Sequence, residues 1–138
     1  MVIHKADIRD LFELTKFLEE YIEVDNLIMR VRSLLYYPSY NFYITEGIVI
    51  VLEENKDNSF SLHPYVHKDY RGKQFLQALK ALEEHLKETN SPIKKVRMEF
   101  REGDRQTKML VRFYPGKVHK VNERVYEYYI SACNAEEE

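Results

Sequence analysis

Apolar residues recur along the chain with two spacings, one typical of helices and the other of strands. Helical spacing predicts helices over 8–22, 27–37, 71–88 and 104–114. Alternating or continuous apolar runs predict strands over 2–5, 41–46, 48–52, 60–66, 96–100, 117–121 and 124–131. Asp7 is the expected N-cap of the first helix, and Pro38 ends the second because proline disfavours helix in the preceding residue.

The order of these elements, β-α-α-β-β-β-α-β-α-β-β, predicts helices that interrupt a mostly antiparallel sheet. Crossovers around 71–88 and 104–114 allow some neighbouring strands to run parallel. The fold class is therefore α+β, or mixed α/β, with a central twisted sheet flanked by about four helices. Because no linker or internal repeat divides the chain, we expect one domain over 1–134 and an acidic tail over 135–138.

Composition narrows the class of protein without changing this picture. The 138 residues are 44% hydrophobic and 32% charged, with a net charge of −2. These values are typical of a globular protein and give no overall attraction to nucleic acid or to an anionic membrane. Cys133 is the only cysteine, so no intrachain disulfide can form. Since we find neither an apolar signal segment nor a membrane-spanning run, we expect a cytoplasmic protein.

The stretch from Val66 to Leu76 carries the main indication of a ligand. A predicted strand enters a basic turn that contains glycine, and a long amphipathic helix follows at once. The first N–H groups of a helix have no acceptor within the helix, so this end attracts phosphate. Arg71 and Lys73 add positive charge, and Gly72 allows the backbone to approach a ligand closely. The turn is thus a candidate anion site.

The same stretch, read within the element order, resembles the GCN5-related N-acetyltransferases, the GNAT superfamily. The resemblance covers nearly the whole chain by element order and residues 62–82 by motif. Val66, Arg71 and Gly72 match the motif of that superfamily. Gln74 stands where the superfamily usually has glycine, and Leu76 where it has glycine or alanine.

This resemblance implies a site for acetyl-CoA as cosubstrate. Backbone groups at the end of the fourth strand would pair with the pantetheine arm, and the N–H groups of the following turn would hold the pyrophosphate. The cofactor-binding residues that it implies are Tyr65, Val66, Arg71, Gly72, Lys73, Gln74, Phe75 and Leu76.

The implied reaction is transfer of an acetyl group from acetyl-CoA to an amine of a small molecule or a protein. Such a reaction needs a base for the amine proton and a proton for the leaving thiolate. Tyr114 is the candidate for protonating the thiolate, and His63 or Glu99 for the base. The alternative for His63 and Glu99 is a polar residue on the solvent face of a strand.

Two other hypotheses remain open beside the acyltransferase. The substitutions at Gln74 and Leu76 favour a catalytically inactive protein of the same fold, of phage or bacterial origin, that binds a protein partner or forms a homo-oligomer. Basic residues near Arg97 and Arg105 raise nucleic-acid binding as the weakest hypothesis, because no nucleic-acid motif accompanies them. The scattered histidines indicate no metal site.

An aromatic run over 36–43 exceeds what a small core needs. It has two interpretations of about equal weight. The aromatic side chains either pack the second helix against the sheet, or they line an acceptor pocket or a protein contact.

Overall fold

A computed structural model of the protein describes residues 2–70, 72–89, 91–93, 95–99, 112, 118–122 and 124–129. The strands in these ranges are β1 (His4–Lys5), β2 (Tyr40–Thr45), β3 (Ile48–Glu54), β4 (Phe60–Val66), β5 (Lys95–Glu99), β6 (Val118–Lys120) and β7 (Val125–Tyr129). The α-helices are α1 (Leu11–Leu18), α2 (Leu27–Leu35) and α3 (Lys73–Glu88), and short 3-10 helices cover Ile8–Asp10 and Lys68–Tyr70. None of these helices is both long and apolar enough to cross a bilayer.

The predicted α+β fold class is confirmed. One sheet with strand order β1-β2-β3-β4-β5-β7-β6 forms the centre, and helices cover both of its faces. Neighbouring strands are antiparallel except β4 and β5, which run parallel because α3 connects them as a crossover. The helix predicted over 104–114 lies outside the described residues, apart from residue 112.

The helix α3 covers one face of the sheet with a single apolar stripe. Its buried side chains include Phe75, Leu79, Leu82 and Leu86, and they pack with alternate residues of the central strands. Full burial of each such side chain contributes about 1.5–3 kcal/mol. This layer fixes α3, and with it the turn that precedes the helix.

The helices α1 and α2 cover the opposite face. In β3, Ile48 and Ile50 point to the α3 layer while Val49 and Val51 point to the α1–α2 layer. All four side chains are buried, which confirms the expectation that this continuous apolar strand is covered on both faces.

Asp7 caps the first helical segment, as expected. Its carboxylate accepts from the N–H of Arg9, and its own N–H donates to the Asp10 carboxylate at 3.0 Å. This reciprocal arrangement satisfies N–H groups that a helix start leaves without an acceptor. The segment begins as the 3-10 helix and continues as α1 from Leu11.

Candidate active site

The described pairing of the parallel strands β4 and β5 is short. Among the described residues, their pairing begins with Phe60 opposite Val96 and ends with Leu62 opposite Met98. Beyond this last described pair, β4 continues to Val66.

Pro64 lies in this part of β4. The N–H of His67 donates to the carbonyl of Gly47 at 2.8 Å, on the β3 side of the strand. Because backbone groups alternate along a strand, Tyr65 also directs its N–H towards β3, whereas residues 64 and 66 face β5. Proline has no N–H, so residue 64 offers no donor on that side. The backbone of Val66, rather than that of Tyr65, therefore faces the β5 side of the strand.

A cleft of about 300 Å³ is lined by the strands β4 and β5. Its lining includes His63 and Tyr65 from β4 and Arg97 and Glu99 from β5. Both base candidates from the sequence, His63 and Glu99, thus line the same cleft. The side chain of Tyr65 lines it as well, and burial raises the pKa of the Tyr65 phenol.

The turn after β4 leads into α3 through Gly72, which stands at the N-cap position with φ 84° and ψ −119°. Residues other than glycine rarely adopt this positive φ. The N–H groups of Phe75 and Leu76 donate to the carbonyl of Gly72, at 3.0 and 3.3 Å. These two N–H groups are therefore used within the helix. Helix geometry leaves the N–H groups of residues 72–74 available to an anion, which are fewer than the resemblance implied.

The two residues that depart from the superfamily motif lie in different environments. Leu76 is 7% exposed and packs in the α3 core with the sheet. Its side chain therefore points away from the turn. Gln74 is half-buried near the helix start, and Lys73 beside it is exposed.

A contact from the β2–β3 hairpin holds the segment before the turn. Tyr70 lies over Gly47, so closely that an added Cβ at position 47 would overlap its ring. The Tyr70 hydroxyl donates to the Glu46 carboxylate at 2.9 Å, and this hydrogen bond raises the pKa of the phenol. The hairpin thus fixes the chain two residues before Gly72.

A second cavity, of about 390 Å³, lies between the α1–α2 layer and the sheet. Most of its lining is apolar, from residues that include Leu18, Ile22, Leu27, Val31, Leu34, Phe42 and Val51. His63 and Tyr65 line this cavity as well as the cleft. They stand at the junction of the two spaces.

The aromatic residues of 36–43 serve both purposes considered from the sequence, packing and the lining of a pocket. Tyr40 and Phe42 line the second cavity, while Tyr43 is buried in the α3 layer. Tyr36 and Tyr37 are exposed.

Glu53 is a site residue that the sequence analysis missed. Its Oε1 lies 3.2 Å from Nε2 of His63, and it also lines the second cavity. Burial first, and then a hydrogen-bonding interaction with the Glu53 carboxylate, raise the pKa of the Tyr40 phenol. The two-residue hairpin at Glu46-Gly47 could have predicted that Tyr40 lies opposite Glu53, because such a turn fixes the register.

Two predicted site residues lie outside the described residues: Arg71 and Tyr114. The roles given to them remain predictions from the resemblance.

Comparisons with known proteins give similarity in structure only. The sequence matches no family model and no curated protein. A chimera of spermidine N-acetyltransferase SpeG from Vibrio cholerae and hSSAT superposes with a TM-score of 0.66 at 14% identity, covering 97% of this chain and 99% of its own. A GNAT-family acetyltransferase from Staphylococcus aureus gives 0.60 at 17% identity, covering 93% and 98%.

The ribosomal-protein-S18-alanine N-acetyltransferase from Escherichia coli gives a TM-score of 0.59 at 13% identity, covering 94% of this chain and 93% of its own. All three matches extend over nearly the full length of both chains. They share the mostly antiparallel sheet with helices on both faces. The chain therefore has the fold of the GCN5-related N-acetyltransferase superfamily.

Proposed function

We propose that the protein is an acyl-CoA-dependent N-acyltransferase that transfers an acetyl group from acetyl-CoA to an amine. The observation that carries this proposal is the cleft lined by β4 and β5, because β4 is also the strand that precedes the Gly72 turn. A thioester and an amine held together in such a cleft react faster because both are already oriented.

The cosubstrate would lie along β4. The backbone of Val66 would pair with the pantetheine arm, and the N–H groups of residues 72–74 would hold the pyrophosphate. Lys73, which is exposed beside them, adds a positive charge. A side chain larger than alanine at position 76 would block the phosphates if it pointed towards the turn. That of Leu76 packs into the core instead.

The amine would enter from the apolar cavity between the α1–α2 layer and the sheet. His63 lines both this cavity and the cleft, whereas Glu99 lines the cleft. We therefore favour His63 over Glu99 as the base. Tyr114 remains the candidate for protonating the thiolate, on the resemblance alone.

Turnover tests this function directly. The similar structures include acetyltransferases named for spermidine and for a ribosomal-protein alanine. Release of free CoA from acetyl-CoA is measured with spermidine, an alanine-terminated peptide and phenethylamine. We expect turnover with at least one of these amines and a fall of about 10²-fold or more in His63→Ala, the range of general acid–base catalysis. No turnover with any of them contradicts the proposal.

A binding or assembly module without catalysis is the second candidate function. It is favoured by large apolar side chains that are exposed on the helical layer, namely Phe12, Met29, Tyr36 and Tyr37. Light scattering coupled to size exclusion tests it. A monomer that turns over acetyl-CoA rejects this candidate, and a stable oligomer without turnover supports it.

A further inference from the structure

We propose that Glu53 is a positioning residue that holds the imidazole of His63 in one tautomer, so that His63 takes the amine proton through Nδ1. The inference rests on the proposed acyltransferase function. It assigns a role to a carboxylate on β3, which pairs with the cleft-lining strand β4.

Strand register places Glu53 and its partners on one face of the sheet. Tyr40 lies directly opposite Glu53 across β2 and β3, and Ser61 lies opposite it across β3 and β4. His63 lies two residues further along β4, so its side chain is a diagonal neighbour of Glu53 on the same face. Long side chains bridge such diagonal positions. The arrangement is therefore a consequence of the backbone.

The contact itself joins the Glu53 Oε1 to the His63 Nε2 at 3.2 Å. The two side chains are 37% and 47% exposed, so the pair adds little to the free energy of unfolding. Its effect is on orientation, because a carboxylate that accepts from one ring nitrogen leaves the other nitrogen as the proton acceptor. Tyr40, which lies opposite Glu53 in the register, lines the same cavity.

Other charged groups face these residues from neighbouring elements. Arg30 of α2 lines the cavity with Glu53 and His63. Arg97 and Glu99 of β5 line the cleft with His63. The Glu53 carboxylate lies at hydrogen-bond distance from the imidazole, whereas Glu99 shares only the cleft with it.

The proton and electron pairs balance through this arrangement. The amine nitrogen forms a bond to the carbonyl carbon of the acetyl thioester, and one N–H proton of the amine passes to Nδ1 of His63. The carbon–sulfur bond then breaks and the sulfur leaves with the electron pair. In the net balance, the thiolate takes a proton from solvent to give free CoA, and His63 returns its proton to solvent. The Glu53 carboxylate stabilises the imidazolium that forms.

The decisive variant is Glu53→Gln, with Glu54→Gln as its matched control. Glu54 is the next residue of the same strand and is exposed. We expect Glu53→Gln to lower kcat by about tenfold or more while the KM for the amine changes less than about threefold, because a positioning residue acts on the chemical step. Glu54→Gln should equal the wild type in both constants.

Two further readouts separate orientation from a structural role. Added imidazole should restore part of the activity of His63→Ala, and it should restore less in the double variant His63→Ala/Glu53→Gln. Two-bond proton–nitrogen NMR spectra, which need no turnover, should show the Nε2–H tautomer of His63 in the wild type and a mixture in Glu53→Gln.

The outcomes distinguish this inference from the function on which it rests. Turnover in the wild type, with equal kcat in Glu53→Gln and Glu54→Gln, overturns the role of Glu53 and leaves the acyltransferase standing. A mixture of tautomers in the wild type also overturns it. No turnover in the wild type contradicts the acyltransferase itself.

Discussion

At the scale of single residues, the site depends on two glycines with positive φ. Gly47 has φ 70° and lies under the Tyr70 ring, and Gly72 has φ 84° at the start of α3. Both are glycines that the sequence placed in turns. The sequence could not show that one of them supports the other through Tyr70, because this contact joins residues far apart in the chain.

Substitution of Gly47 should destabilise the protein. We expect Gly47→Ala to lower the free energy of unfolding by about 1–3 kcal/mol, since alanine is strained at positive φ. Its Cβ would also overlap the Tyr70 ring. Urea denaturation measures the change, and the double variant Gly47→Ala/Tyr70→Ala serves as the control. Because the smaller side chain relieves the overlap, an additive double variant would contradict this explanation.

At the scale of elements, α3 carries both the core and the anion-binding turn. The apolar stripe of this helix was clear in the sequence, and its predicted extent of about 71–88 agrees with the observed Lys73–Glu88. The stripe predicted from the sequence includes Leu76, but whether this side chain obstructs the turn or packs below it stayed open, because that depends on how the helix packs against the sheet.

Truncation of Leu76 tests whether it belongs to the core or obstructs the turn. We expect Leu76→Ala to cost about 2–5 kcal/mol in unfolding free energy, the usual range for a buried leucine. Acetyl-CoA affinity should not improve in the folded fraction. Gln74→Ala, at the half-buried neighbouring position, should cost much less. A Leu76→Ala protein of unchanged stability that binds acetyl-CoA more tightly would show that the leucine obstructs the site.

The pairing of β5 with β7 includes a buried carboxylate, Glu127. It lies 3.1 Å from Nζ of Lys95 and 3.2 Å from a guanidinium nitrogen of Arg97. Burial acts to raise the pKa of Glu127, but hydrogen bonds from Lys95 and Arg97 more than reverse this, so its pKa is lowered from that of a free glutamate. A carboxyl whose pKa is lowered by folding stabilises the native state above its unfolded pKa, and this contribution is lost as the pH falls.

Glu127→Gln should therefore be most harmful near neutral pH. We expect a loss of about 1–3 kcal/mol at pH 7, because two cations lose their acceptor, and a smaller difference from the wild type near about pH 3. Urea denaturation at both pH values measures it, with the exposed Glu88→Gln as control. A loss of stability that is equal at both pH values would show that the charge of Glu127 is not responsible.

At the scale of the whole molecule, element order was sufficient to predict the fold, because the apolar periodicities are strong and the connections short. The candidate site itself stays a prediction. His63, Glu99 and the Gly72 turn were identified from the sequence, while Glu53 depends on the β3–β4 register and the cleft depends on the placement of β4 and β5. Neither follows from local patterns.

Calorimetric titration of the folded protein with acetyl-CoA tests whether the cleft and the turn form a working cosubstrate site. We expect one binding site with a Kd between about 1 μM and 1 mM, the usual range for enzyme substrates. Binding should weaken at least about tenfold, or 1.4 kcal/mol, in Gly72→Ala, because alanine disfavours the φ that directs the N–H groups of the turn. Gln74→Ala should bind as the wild type does. Absence of binding heat at millimolar acetyl-CoA, or equal affinity in Gly72→Ala, would contradict this assignment.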